Sequence, residues 1–520
     1  MTTTLESYLS GRWQTGQGEG TKLYNPSTEE VVATASTAGL DLKAAVAFAR
    51  DTGGPALRAL TFAQRGAILA KLAKIVSDAR EELIGLGITN AGNTRSDAKF
   101  DIDGAGATLN FYAELGAKLG DVKVLPDGEG VALGRSARLY GQHVLSPRHG
   151  VAVHINAFNF PAWGMGEKLA VTLLAGMPVI SKPATSTALM AWKIARLWAD
   201  SGVLPAGAFS FLCGSVGDLL SHLSGQDVVA FTGSSDTAQS LRTHATIASH
   251  SVHLNVEADS LNSAILAPDA VEGSETLNMF LTDVAKEMTQ KTGQKCTATR
   301  RIFVPAARLD EVKDALVDRL SAVKLGNPAD EKTTMGPVAT AQQLKDVRAG
   351  LERFAKTYEV ACGGAKPVEG QAKGYFVSPT LFVNKKPKAS TEDAVNAHEV
   401  FGPAATLMPY GDAAELEKLV AAGGGGLVSS VYGDDKEWLN TVVAAIAPYH
   451  GRVTISGEKV AGQTIPPGTV MPGLLHGGPG RAGGGEELGG TRGMGLYLQR
   501  TALQGPRPWL EAFAGVKPTA

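Results

Sequence analysis

Between Gly150 and Val256 the chain alternates apolar runs of strand length with helical patterns, and this alternation constrains the fold more than any other feature. GVAVHI, PVISK, FSFLC, DVVAF and VHLNV are short and rich in β-branched and aromatic residues, as strands are. PAWGMGEKLAVTLLAG, STALMAWKIARLWADSG and SSDTAQSLRTHATIA read as helices. In the first of these, Pro161 suits a first turn and Gly176 suits the end. Strands joined through helices lie parallel, with right-handed crossovers and both faces covered. Ligands of such sheets bind beyond the carboxyl ends of the strands. The residues just after GVAVHI, PVIS, DVVAF and VHLNV are therefore the candidates for function.

A second alternating section runs from about residue 260 to 455, with SAILAP, RIFVP, a helix in LDEVKDALVDRLSAV, and LVSSVYG. Ahead of both lie short strands in LSGRW to NPSTEEVVATAS. A helical stretch follows from Thr61 to Ile88, with Phe62, Ile68, Leu69, Leu72, Ile75 and Val76 near one face. SARLYGQHVLSPRHG reads as extended chain. GEKVAGQTIPPGTVMPGLLHGGPGRAGGGEELGG is dense in Gly and Pro, an irregular stretch of the kind that borders a site. TRGMGLYLQRTALQG returns to extended pattern and reads as an edge strand able to pair with another subunit.

Length and composition exclude several classes. A chain of 520 residues holds two or three cores, and 44% hydrophobic with 19% charged residues is ordinary for a globular protein. A net charge of -2 offers no reason to expect nucleic acid or an anionic membrane as partner. No basic region followed by an apolar run opens the chain, and no apolar stretch is long enough to span a bilayer. The cysteines are Cys213, Cys296 and Cys362. This sparse, odd set without CxxC pairing speaks against a disulfide framework and against a zinc site, so no metal is expected and a reducing cytoplasm fits.

Cys213 in FSFLCG reads as a small buried hydrophobe, and Cys362 in ACGGAK as a turn residue. Cys296 in KTGQKCTATRR has polar neighbours, with Lys291, Lys295, Arg300 and Arg301 close in sequence. Positive charge lowers a thiol pKa, which points to a nucleophile. Glu257 ends VHLNVE, either as a solvated strand-end carboxylate or as a general base. Asn159, between a strand and a helix, either caps the helix or donates its amide to a developing oxyanion. Lys182 ends PVISK, where it is solvated or binds phosphate or ribose. FTGSS, from Phe231 through Gly233 and Ser234, joins strand to helix, where backbone N–H groups can cradle a pyrophosphate. Gly478 to Gly483 matches GxGxxG, but with no strand expected before it and no helix after it, it reads as chance.

Taken in order, FNFP, SKPA, FTGSS, a strand-end Glu, GQKC and EVFGP resemble the aldehyde dehydrogenase superfamily along essentially the whole chain. VEADSLNSAIL followed by GQKCTATRR is similar to the semialdehyde dehydrogenases of coenzyme A-dependent aromatic degradation. These act on ring-opened semialdehydes such as 3,4-dehydroadipyl-CoA semialdehyde in the benzoate box pathway, or in phenylacetate catabolism. The phenylacetate type carries a hydratase domain that this length leaves no room for.

The resemblance implies an α/β fold with a Rossmann-like cofactor domain, a second α/β catalytic domain and a small β oligomerisation element. Residues 1–124 and 150–256 would form the first, 257–470 the second, and 125–149 with 471–520 the oligomerisation element and the loop bordering the site. It implies a cytoplasmic homodimer acting on a small aldehyde. Cys296 would be nucleophile, Asn159 with the Cys296 N–H the oxyanion hole, and Glu257 the base for the deacylating water. Lys168 and Glu487 would support proton transfer. Lys182, Ser234, Glu399 and Phe401 would hold the cofactor. Many NAD-preferring relatives carry Glu where this chain has Thr185, so NADP is the cofactor expected. The usual Gly-Gly-Lys after the base is Ala258-Asp259-Ser260 here. Two alternatives stay open: an acylating enzyme that releases its product to coenzyme A, and a non-catalytic nucleotide-binding protein on the same fold.

Overall fold

The computed structural model describes residues 3–136 and 138–515. Ala137, in the stretch expected to be extended, and residues 1, 2 and 516–520 of the expected divisions lie outside the described residues.

The alternating segment forms one seven-stranded sheet. Its strands, in chain order, are β1 (Ser7–Leu9), β2 (Arg12–Gln14), β3 (Ala152–Ile155), β4 (Val179–Lys182), β5 (Phe209–Phe211), β6 (Val228–Thr232) and β7 (His253–Glu257). They lie in the order β7-β6-β3-β4-β5-β1-β2. The five later strands are parallel, and β1 and β2 extend that sheet antiparallel. From β3 the chain winds outward through β4 and β5, then returns to β6 on the other side of β3. That reversal leaves a crevice past the ends of β3 and β6, where such sheets take ligands. A second seven-stranded sheet comprises β8 (Ser263–Leu266), β9 (Arg301–Pro305), β10 (Glu359–Cys362), β11 (Thr380–Val383), β12 (Ala404–Tyr410), β13 (Gly426–Tyr432) and β14 (His450–Ser456). Its order is β10-β11-β12-β9-β8-β13-β14, parallel except for the β10 edge.

The helices that matter for the site are α1 (Phe62–Asp78), α2 (Arg95–Leu119), α3 (Trp163–Ala175), α4 (Ala188–Asp200), α5 (Ser235–Arg242), α6 (Glu275–Thr289) and α7 (Ala341–Ala355). Thr61 and Gln64 form a capping box on α1, and Thr94 and Asp97 form one on α2. On α1, Phe62, Leu69, Leu72 and Val76 are buried, while Ile68 and Ile75 are half-buried at the margin of that face. Gly176 ends α3 with φ +90°, as its position suggested.

Several boundaries differ from the sequence reading. The helical stretch after Thr61 breaks at Ala79 and resumes at Arg80, and the one after Ser234 breaks at Thr243. Pro161 lies in the turn before α3 rather than inside its first turn. Cys362 ends strand β10 rather than occupying a turn. Met494 and its neighbours from Thr491 form one helical turn before the final strand. That strand, Leu498–Pro506, pairs antiparallel with Leu139–Pro147 along its whole length and lies at the edge of a four-stranded sheet.

Candidate active site

Cys296 lies in the segment that connects α6 to β9, and unusual backbone holds it there. Lys291 and Thr292 adopt left-handed φ of 52° and 57°, which costs a non-glycine residue about 1–2 kcal/mol each. Hydrogen bonds fix the kink: Lys291 N donates to Asp97 Oδ1 on α2, and Thr292 Oγ1 donates to the Gly336 carbonyl. A side chain at Gly293 would meet the Gly402 carbonyl at 2.2 Å, so only glycine lets the chain pass. Beyond the kink, Asn262 Nδ2 donates to the carbonyls of Cys296 and Ala298, both at 2.8 Å.

The cations close to Cys296 in sequence do not serve it, contrary to expectation. Lys295 pairs with Glu287 at 2.7 Å and Arg300 with Glu399 at 3.1 Å. Lys291 packs on the Phe160 ring and faces Asp101, while Arg301 donates to the carbonyls of Leu261, Leu419 and Val420. Burial, and after it the Glu257 carboxylate, push the Cys296 thiol well above its ordinary value. Cys213 is buried in the core, as its sequence implied.

Two cavities meet at this residue. One, of about 490 Å³, is walled by aromatic and apolar side chains including Phe100, Phe160, Trp163 and Val470. The other, of about 1190 Å³ with its open mouth, runs past Lys182, Phe231, Gly233, Ser234, Glu399 and Phe401. Asn159, Glu257 and Cys296 line both. Among the described residues, neither the Asn159 side-chain amide nor the Cys296 backbone N–H has a hydrogen-bond partner. Two donors are thus free beside the thiol.

Glu257 ends β7 and is buried, not solvated. Its Oε2 lies 3.1 Å from His476 Nε2. Burial alone would raise this carboxyl, but His476, with help from Lys168, holds it at about 2. Lys168 on α3 donates to Thr232 Oγ1 at 2.8 Å and pairs with Glu487 at 3.0 Å and Glu167 at 3.6 Å. Burial opposes the Lys168 charge, yet the surrounding carboxylates outweigh it and raise its pKa. Burial also lifts Glu167 to about 7.

His476 and Glu487 come from one short hairpin, Leu475–Gly477 with Glu486–Leu488, in which they are direct cross-strand partners. Glycines let this hairpin lie against the end of β7. Gly485 N donates to the Val256 carbonyl, and a Cβ at Gly485 would sit 2.4 Å from that oxygen. The GxGxxG match sits here. It does follow a strand, contrary to the sequence reading, but a three-residue antiparallel one, and only the single 3₁₀ turn Gly480–Ala482 follows. Its role is close backbone packing. His476 and Glu167 were not singled out from sequence. The signal for His476 was the density of Gly and Pro around it, which marked the loop but not the residue.

The larger cavity has the chemistry of a dinucleotide site. Lys182 is largely buried with its ammonium near the cavity, donating to the Pro183 carbonyl, and burial lowers its pKa. Ser234 caps α5 and lines the cavity at that helix's N-terminus. Gly233 packs against the Phe231 ring so closely that a Cβ would fall 2.5 Å from it. Phe401 meets Phe158 edge-on at 5.8 Å. Both Glu399 oxygens are engaged, one by Arg300 and one by Ser260 N. Thr185 opens a 3₁₀ turn one residue past the lining Ala184 and does not itself line the cavity. The Ala258-Asp259-Ser260 departure has a visible effect: Asp259 accepts the Ser235 N–H at the start of α5, a donor otherwise open to an anion.

The description "Aldehyde dehydrogenase family" belongs to the family model that matches residues 13–501. Over 455 residues the chain is 44% identical to 3,4-dehydroadipyl-CoA semialdehyde dehydrogenase of Aromatoleum evansii, covering 87% of this chain and 88% of that protein. Betaine aldehyde dehydrogenase of Bacillus subtilis is 27% identical over 479 residues, with 88% and 92% covered. An NAD+ complex of aldehyde dehydrogenase from Bacillus cereus superposes with TM-score 0.83 at 25% identity, covering 97% of this chain and 96% of the other. Aldehyde dehydrogenase C from Pseudomonas syringae, a mutant in complex with NAD+ and octanal, gives 0.82 at 25% identity, covering 100% and 98%.

Proposed function

The chain belongs to the aldehyde dehydrogenase family, and on that premise we propose that it oxidises a coenzyme A-linked semialdehyde to the carboxylic acid with NADP, using Cys296 as nucleophile. The observation that carries this reading is the placement of Cys296, Glu257 and Asn159 where the two cavities meet. An aldehyde in the smaller cavity and a dinucleotide in the larger one would both reach the thiol.

The chemistry follows from the groups present. The Cys296 thiol releases its proton to solvent water, the resulting thiolate adds to the aldehyde carbon, and the carbonyl electron pair moves to oxygen. The Asn159 amide and the Cys296 N–H, both free, donate to that oxyanion. A nicotinamide cofactor, when bound, supplies the acceptor for the hydride that leaves this carbon. Glu257 takes a proton from the water that attacks the resulting thioester, and the thiolate departs. Behind Glu257, Lys168 is held by its ion pair with Glu487.

Lys182, Phe231, Gly233, Ser234, Glu399 and Phe401 are the residues proposed to hold the cofactor. NADP over NAD is supported by Thr185, a neutral side chain in place of a carboxylate that would repel a 2′-phosphate. The coenzyme A link is supported by the 44% identical relative. Three cysteines, all free, fit a reducing cytoplasm.

The test is a screen of aliphatic, aromatic and coenzyme A-linked aldehydes with NADP and NAD, followed at the NADPH absorbance, with the product examined by mass spectrometry. The reading expects fastest turnover with the coenzyme A-linked semialdehyde and a new free carboxylate. Transfer of the oxidised acyl group to added coenzyme A would contradict it.

A further inference from the structure

His476 takes no part in the reaction above, yet it lies directly against its base. Its Nε2 lies 3.1 Å from Glu257 Oε2, and the two side chains are 4% and 3% exposed. The other carboxylate oxygen, Oε1, is buried without a hydrogen-bond partner. The Cys296 thiol, the Glu257 carboxylate and the His476 imidazole all lie within 4.8 Å of one another. A carboxylate enclosed to this degree stays ionised only beside compensating charge. Lys168 contributes, but its ammonium pairs directly with Glu487 and Glu167, and His476 is the stronger influence on Glu257.

We propose that His476 is the counter-ion of Glu257: as imidazolium it keeps the base ionised and holds Oε2, leaving Oε1 free to take a proton beside the thiol. The inference rests on the roles given above to Cys296 and Glu257. His476 acts through Glu257 and is a positioning residue.

The charged groups around His476 come from several elements. Glu257 comes from β7, Glu167 and Lys168 from α3, Arg452 from β14, and Glu487 from the opposite strand of its own hairpin. With His476 protonated, three carboxylates face three cations. Burial and Arg452 oppose the imidazolium, while Glu257 and Glu167 favour it and prevail, so the His476 pKa is raised. For Glu257 the opposing effects are burial, which raises its pKa, and His476, the leading influence that lowers it. Removing the imidazole leaves burial with one major opponent fewer. Glu257 then takes its proton at higher pH, and the acid limb of any step that needs its anion moves up.

4-Nitrophenyl acetate tests this without aldehyde or cofactor, because an activated ester acylates a thiol directly. The burst of 4-nitrophenolate reports acylation of Cys296, and the steady rate that follows reports deacylation by Glu257 and water. Both are measured across about pH 5–9, the range in which a carboxylate base loses its proton if its pKa is raised. The parent should show a burst and a steady rate that persists into acid. His476→Gln should keep the burst but move the acid limb up by about one pH unit or more, which is about tenfold in rate on that limb. His476→Lys, which restores the cation, should return the limb towards the parent's. In a Glu257→Gln background, His476→Gln should add nothing. His476→Asn takes the place of the Gln variant if that chain loses its native circular dichroism. An acid limb shared by parent and His476→Gln overturns the counter-ion role alone, and so does a limb that Lys moves as far as Gln. A parent without any burst overturns it together with the reading of Cys296.

Discussion

The cations near Cys296 in sequence are spent on Glu287, Glu399, Asp101 and backbone carbonyls. Arg452 and His476 do reach the thiol, but burial and the Glu257 carboxylate outweigh them. The thiol is therefore held as S–H. Its raised pKa means that the thiolate fraction is small at neutral pH and grows only as pH climbs past the ordinary cysteine range. A positively charged nicotinamide ring bound in the adjoining cavity, as proposed, would reverse part of this, because an opposite charge within a few ångström favours the anion. Iodoacetamide labelling of Cys296 in the cofactor-free protein should thus be slow near pH 7, rise continuously with pH, and accelerate when oxidised NADP is added. Peptide mapping after timed quenches reads this. Fast labelling near pH 7 that oxidised NADP leaves unchanged would contradict it.

At the scale of elements, the hairpin that carries His476 and Glu487 depends on glycines that no side chain can replace. Gly485→Ala would place a Cβ 2.4 Å from the Val256 carbonyl, so the hairpin must move off the end of β7. We expect kcat to fall by about tenfold or more, with a stability loss on the order of 1–3 kcal/mol, the usual cost of overpacking. Steady-state kinetics and thermal melting read the two effects. Retention of full kcat would show that the hairpin does not position the base. On the proposed reading, the turn after β4 selects the cofactor. A carboxylate about 5 Å from a 2′-phosphate costs roughly 3 kcal/mol per unit charge before salt screening at an effective dielectric near 20. Thr185→Glu should therefore shift kcat/KM from NADP towards NAD by at least about tenfold. Equal use of both cofactors by the parent, unmoved by the substitution, would contradict the assignment. The strands were legible because parallel strands buried on both faces read as unbroken apolar runs: GVAVHI, PVISK, DVVAF and VHLNV all became neighbours in one sheet. The kink at Lys291 and Thr292 was not, because its cause is Asp97, a residue far away in sequence.

For the whole molecule, the motif order and the two alternating sections were enough to read the fold, since FNFP, SKPA, FTGSS and the strand-end Glu lie at or just past the ends of strands that topology makes neighbours. Charge pairing was not readable. Lys291, Lys295, Arg300 and Arg301 look like a cationic setting for Cys296 along the chain, and only tertiary packing shows each turned to a partner elsewhere. His476 was hidden for the related reason that an irregular loop has no period from which to read direction. Among the described residues the final strand leaves an open edge, and near it Leu139, Trp509 and Phe513 are exposed, with the Trp509 and Phe513 rings stacked at 5.2 Å. An open edge beside exposed apolar groups is the signature of a surface that another subunit covers, and a homodimer is proposed. Trp509→Glu with Phe513→Glu should lower the mass measured by light scattering towards a single chain. An unchanged mass would place the subunit contact elsewhere.

The central claim is that Cys296 forms a covalent acyl intermediate which Glu257 helps water to cleave. Glu257→Gln mixed with oxidised NADP and a coenzyme A-linked semialdehyde separates the two halves of the reaction in one experiment. The account predicts about one NADPH per chain in a fast burst, then a slow steady state, with intact mass showing the acyl group on the peptide that contains Cys296. A slow first turnover without a burst, or a burst with Cys296 unmodified, would contradict it.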